Sequence, residues 1–271
     1  MQKALIFLMI LICFGLSAPV CYGSDDIKIL VKQPDTQLSY KVIEEGKVLV
    51  SIKDAQGEAI RGLTPEDFTV GSGIQKADIL SAQPLESVKE IPLNIVLVID
   101  NSFSMQERQA VEPLLLALDE FFNTIRPIDN IHLVVFDDQP KVIVREIPLH
   151  TRIFSSSDIS ELKAFLKESH GRGLTGKTYL YEAMLAGMNA IRMMPAEDNK
   201  FLVVFSDGED LNSDVPPAII QNEAEGAQNL EVFCVDYMPG PKLDRFLSSF
   251  AEDHNGRIWK ATSSSELAPI F

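Results

Sequence analysis

The chain has 271 residues, 46% of them apolar, and a formal charge of −15. That length allows one large domain or two small ones, and the apolar share supports a packed core, which excludes global disorder. The acidic balance argues against nucleic acid, which needs a basic face, and against docking to anionic lipid; solubility is the plain reading of it.

The first element in chain order is a targeting segment. Lys3 precedes the uncharged run Ala4 to Leu16, a small-residue region ends at Cys21-Tyr22-Gly23, and Ser24-Asp25-Asp26 follows. This is the pattern of a secretory signal peptide cut near Gly23. Residues 1–23 are therefore set outside the fold, and export to the periplasm or beyond is expected. An uncleaved N-terminal membrane anchor is the alternative, since the apolar character nearly reaches Tyr22 and a span takes about 20 residues; only then is a membrane a partner. Bulky Val20 makes Cys21 a poor site for lipid attachment. Cys13 and Cys21 lie in this segment, and Cys234, alone within Leu230 to Asp236, reads as a small core residue.

Residues 24–87 carry short alternating segments. Lys47 to Lys53 has apolar residues at 48, 50 and 52, the period of a half-buried strand. Asp54-Ala55-Gln56-Gly57 is a turn signal, and Phe68-Thr69-Val70 and Ala77-Asp78-Ile79-Leu80 read as further strands. A small antiparallel β module is predicted, joined through Glu86 to Pro92 to a second domain at 88–271. There, strand candidates at 93–99, 131–136, 142–146, 201–206, 231–236 and 257–260 alternate with amphipathic helical stretches. These stretches include 114–125, where Pro113 predicts a late start or a kink, and 159–166, 180–191, 218–227 and 243–250. Alternation of this kind predicts an open, doubly wound, mostly parallel α/β sheet. The tight join between 131–136 and 142–146 adds one antiparallel edge strand. Ser263 to Phe271 opens like a final short helix.

Three strand or helix junctions carry oxygen ligands. The run Leu93 to Ile99 ends in Asp100-Asn101-Ser102-Phe103-Ser104; Thr178 precedes a helix; Phe201 to Ser206 ends in Asp207-Gly208. Two carboxylates and three hydroxyls suit Mg²⁺, which keeps part of its water shell, with Mn²⁺ or Ca²⁺ as alternatives. Zinc would call for His or Cys, and no His is near these residues in sequence.

These motifs, Asp100 to Met105, Thr178 to Ala183 and Phe205 to Gly208, resemble the von Willebrand factor type A domain with a metal-ion-dependent adhesion site, over residues 93 to about 271. The resemblance implies that Ser102, Ser104 and Thr178 bind the cation directly and that Asp100 and Asp207 act largely through water. It implies that the open coordination position takes an Asp or Glu of a partner protein. The segment from Val48 to Ser81, with Arg61 to Phe68, is similar to the β module that precedes this domain in many secreted bacterial proteins. Phe103 departs from the family, which usually has Gly there. It is a candidate partner contact, a shield for the site, or a ring folded onto the first helix. Tyr179 and Glu209 are further candidates for partner contact, although Glu209-Asp210 also reads as a solvated acidic loop.

The expected function is non-catalytic: extracytoplasmic, divalent-metal-dependent protein binding. A structural module whose metal stiffens its loops is the alternative. A further rival is Gly171 to Thr178, which fits the phosphate-loop pattern G-x-x-x-x-G-K-[ST], but a helical pattern rather than a buried strand precedes it. The four His residues are scattered and show no catalytic spacing with Ser or Cys.

Overall fold

The computed structural model describes residues 9–15, 28–136, 145–150, 160, 178–237 and 245–261, without positions 45, 56–58, 73–74, 89, 127, 208–209 and 211. The predicted helix at 159–166, the phosphate-loop candidate short of Thr178 and the C-terminal segment from Thr262 lie outside the described residues. The chain divides into two compact units, one formed by Ile6–Ile91 and the other built mainly from Pro92–Phe271.

The first unit is an antiparallel sheet of β1 (Met9–Gly15), β2 (Lys28–Val31), β3 (Gln37–Glu44), β4 (Lys47–Lys53), β5 (Phe68–Ser72) and β6 (Gln75–Pro84), in the order β2-β5-β6-β1-β4-β3. Ile29, Val48, Val50, Ile52, Phe68 and Val70 form its core. Two features differ from the sequence reading. Alternation predicted β4 as half-buried, yet Leu49 and Ser51 are buried as well, because β4 is an interior strand covered on both faces. Met9–Gly15, set outside the fold above, forms the strand between β4 and β6, pairing from Met9↔Ser51 to Cys13↔Lys47 on one side and from Ile10↔Pro84 on the other. An uncharged run containing Ile10, Ile12 and Phe14 satisfies the composition of a strand as well as that of a leader.

The second unit has the order β12-β11-β10-β7-β8-β9. Its strands are β7 (Leu93–Asp100), β8 (Asn130–Phe136), β9 (Arg145–His150), β10 (Asn199–Ser206), β11 (Leu230–Tyr237) and β12 (Arg257–Ala261). Five run parallel, and β9 pairs antiparallel with β8 at one edge. The doubly wound sheet and its antiparallel edge are thus as the sequence predicts. The α-helices bounded within the described residues are α1 (Phe103–Glu107), α2 (Val111–Thr124), α3 (Leu180–Arg192), α4 (Pro217–Glu225) and α5 (Arg245–Asp253). Helix α2 starts before Pro113, which sits in the first turn where no backbone donor is required.

Every residue of β7 and of β10 is buried, so these two strands are the centre of the domain. On one face Val96, Val98, Leu202 and Val204 pack with Leu180, Ala183, Met184, Met188 and Ile191 of α3. Gly187 lets α3 lie close: a Cβ there would stand 3.0 Å from Val98 and 3.1 Å from Leu202. At the start of β10, the buried Lys200 ammonium donates to the carbonyls of Ala196 at 3.0 Å and Gln228 at 3.1 Å. A buried charge is tolerated there because backbone oxygens satisfy it.

The turn from α5 into β12 passes against β11. A Cβ at Gly256 would lie 1.4 Å from the Val232 carbonyl oxygen, which is backbone and cannot turn aside. Gly256→Ala should therefore cost more than about 3 kcal/mol, beyond the usual range for overpacking. Urea denaturation measures this, and a loss below about 1 kcal/mol would show that the turn re-forms freely.

Candidate functional site

Strands β7 and β10 pair in register up to Ile99↔Phe205. The chain therefore leaves both strands side by side, with Asp100 ending one and Asp207 just past the end of the other. The sheet order turns back at this point, since β8 lies on one side of β7 and β10 on the other. That crevice at the carboxyl ends of the strands is where open α/β sheets hold ligands.

Asp100 is fully buried. Its Oδ1 accepts the Ser102 N–H at 2.9 Å, which shapes the turn from β7 into α1. Its Oδ2 accepts the Ser206 hydroxyl at 2.7 Å. The Ser102 and Ser104 hydroxyls are 2.9 Å apart, and Ser104 Oγ donates to Asp207 Oδ1 at 2.9 Å. Four of the five predicted ligands are thus linked by hydrogen bonds, and Ser206 is a member that the motif reading missed. A hydroxyl at the strand end immediately before Asp207 was the available signal.

Thr178 is buried just ahead of α3. Its carbonyl accepts the Asn212 N–H at 3.2 Å. Helix α3 has no side-chain cap of its own. Its exposed first-turn N–H groups are instead met from the loop after β10: Tyr181 N–H donates to Asp210 Oδ1 at 3.2 Å and to Ser213 Oγ at 3.1 Å. Asp210, read above as part of a solvated loop, is half-buried, and it ties the Thr178 element to the β10 element.

Asp207 carries the strongest electrostatic signal. It is 1% exposed, and its Oδ2 is buried without a hydrogen-bond donor. Arg108 approaches, its Nη1 donating to the Asp207 carbonyl and standing 3.4 Å from Oδ2. Burial first, and the Asp100 charge second, push the Asp207 carboxyl up to about 7; Arg108 and the Ser104 hydrogen bond work in the opposite direction. A half-served carboxylate beside two hydroxyls and a second carboxylate is a donor set that fits a hard divalent cation.

The candidates for partner contact separate. Phe103 is half-buried at the start of α1, Tyr179 is only 6% exposed and so offers little surface, and Glu209 lies outside the described residues.

Because the folded-state value for Asp207 is above its ordinary 3.8, the folded protein holds a proton that the unfolded chain releases. Stability from this group is complete below about pH 4 and is lost as pH rises through about 7. With a chelator present, the protein should lose more stability between about pH 5 and pH 8 than Asp207→Asn does, in thermal melts across that range. Parallel profiles for the two proteins would contradict the assignment.

Residues 95–209 match the family described as von Willebrand factor type A domain. The inter-alpha-trypsin inhibitor heavy chain H4 of Sus scrofa is 26% identical over 156 residues, which are 54% of this chain and 16% of that protein. Among solved structures, a von Willebrand factor type A protein from Catenulispora acidiphila aligns with TM-score 0.53 and 13% identity, covering 91% of this chain and 49% of that one. The pilus adhesin SpaC from Lactobacillus rhamnosus GG aligns with TM-score 0.50 and 13% identity, covering 87% and 33%. The chain therefore spans less than half the length of each of these proteins. Most of β7, all of β10, Asp100, Asp207 and the start of α3 fall within the matched segment, so the part of the chain that is similar to a von Willebrand factor type A domain is the part that holds the site.

Proposed function

We propose that this domain binds a partner protein outside the cytoplasm through a divalent cation. Ser102, Ser104 and Thr178 would hold the ion directly, and Asp100 and Asp207 would act mainly through water. The observation that carries the reading is the buried Asp207 Oδ2, which lacks a donor next to the paired Ser102 and Ser104 hydroxyls. A bound cation supplies an electrophilic coordination position for a carboxylate of the partner. Mg²⁺ suits two carboxylates and three hydroxyls best, with Mn²⁺ and Ca²⁺ as alternatives.

This chain's own residues prepare that position. Asp100 is fixed by Ser102 and Ser206, so the site keeps its shape when charge arrives. The ligand loops are already tied through Ser104, Arg108, Asp210 and Ser213. This favours docking over a metal whose role is to stiffen loops. The low count of negative ligands leaves the cation unneutralised and attractive to one more carboxylate. With a net charge of −15 on the chain, long-range attraction does not assist an acidic partner, so recognition is local. No catalytic role is assigned. The N-terminal pattern of Lys3, an apolar run and a small-residue end supports export.

Mg²⁺ at about 100 times its Kd should raise the melting temperature by about 5–10 °C, and Asp100→Ala should abolish the rise. An undiminished rise in Asp100→Ala would sink the site. A pull-down from an extracytoplasmic extract should lose its partner on chelation, and retention would favour the stiffening role. ATP should not stabilise the protein; stabilisation that Lys177→Ala removes would support nucleotide binding at 171–178.

A further inference from the structure

We propose that Arg108 is the resident counter-ion of Asp207, and that a divalent cation entering the site displaces it. The proposal rests on the cation site put forward above. Arg108 directly follows α1, the helix that carries Ser104, and its position is fixed by the turn that ends that helix. Arg108 N–H donates to the Ser104 carbonyl at 2.9 Å, Gln109 adopts left-handed backbone at φ 57°, and Ala110 N–H donates to the Met105 carbonyl at 2.8 Å. A non-glycine residue in that region is uncommon and holds a defined turn.

From this fixed base the guanidinium reaches across 99 residues of sequence to Asp207. It serves the two Asp207 oxygens that Ser104 does not: it donates to the carbonyl and stands 3.4 Å from Oδ2. Asp207 Oδ1 is taken by Ser104, and Oδ2 has no hydrogen-bond donor. A positive charge near Oδ2 offsets the repulsion between Asp207 and Asp100, two carboxylates held at adjacent strand ends. A divalent cation bound by Ser102 and Ser104 would answer the same negative charge and would repel the guanidinium. The Arg108 side chain is 32% exposed whereas the Asp207 side chain is 1% exposed, so the guanidinium has open solvent to move into while the carboxylate stays in place. Arg108 therefore lowers metal affinity while it stabilises the metal-free domain. A residue that merely braced the loops would strengthen both.

Calorimetric titration with MgCl₂ and melting with a chelator separate these roles in the full chain. Arg108→Gln keeps an N–H donor for the Asp207 carbonyl and removes the charge. It should bind Mg²⁺ about tenfold more tightly than the wild type and melt lower without metal. Unchanged or weaker Mg²⁺ binding by Arg108→Gln, with normal binding by the wild type, overturns the counter-ion role and leaves the cation site standing. Binding by neither protein overturns both. Should the variant not fold, the wild type alone decides: saturating Mg²⁺ should increase modification of Arg108 by a guanidine-selective dicarbonyl several-fold. Unchanged or reduced modification overturns the proposal.

Discussion

The in-register pairing of β7 with β10 is the constraint on which the site depends. Both strands are buried along their whole length, so neither can slip without exposing its core residues and leaving backbone groups unpaired. Once Ile99 faces Phe205, the chain must place the two carboxylates that follow at one end of the sheet. Two nearby negative charges out of water are costly. The hydroxyls of Ser206 and Ser104, the Ser102 N–H and the Arg108 guanidinium are what this end of the sheet supplies against that cost. Sheet pairing fixes the geometry, and the electrostatics of the site follow from it.

The parts of the fold that were legible in the sequence are those where local pattern and final environment agree. The run Leu93 to Ile99 has nowhere to go but a buried strand, and Asp-x-Ser-x-Ser at its end is short enough to read by eye. The helical spacing of Leu180, Ala183, Met184, Met188 and Ile191 matches the face that α3 buries. Other features were hidden because they depend on distant partners. Arg108 is an ordinary surface arginine until Asp207 folds next to it. Asp210 looks solvated until the unmet N–H of Tyr181 arrives. Tyr179, singled out for partner contact, is buried at the N-cap position of α3, the helix that packs on β7 and β10. Met9–Gly15 shows a different ambiguity: an apolar run without charge meets the requirements of a leader and of a strand alike, so its pairing with β4 and β6 could not be read from composition.

The two ends of the central sheet handle charge in contrasting ways. At the start of β10 the Lys200 ammonium is closed off and satisfied by carbonyl oxygens. At the other end, Asp207 keeps one oxygen without a donor. The first arrangement is complete in itself; the second has unused coordinating capacity. That capacity lies at the crevice where ligands of such sheets bind.

Cys234 lies in the middle of β11, fully buried within the core under α3 and α5. A thiol so placed reacts with reagents in solution only when the strand opens. Its labelling rate is therefore a native clock for the breathing of the central sheet, readable by mass spectrometry on the peptide that contains it and without any engineered probe.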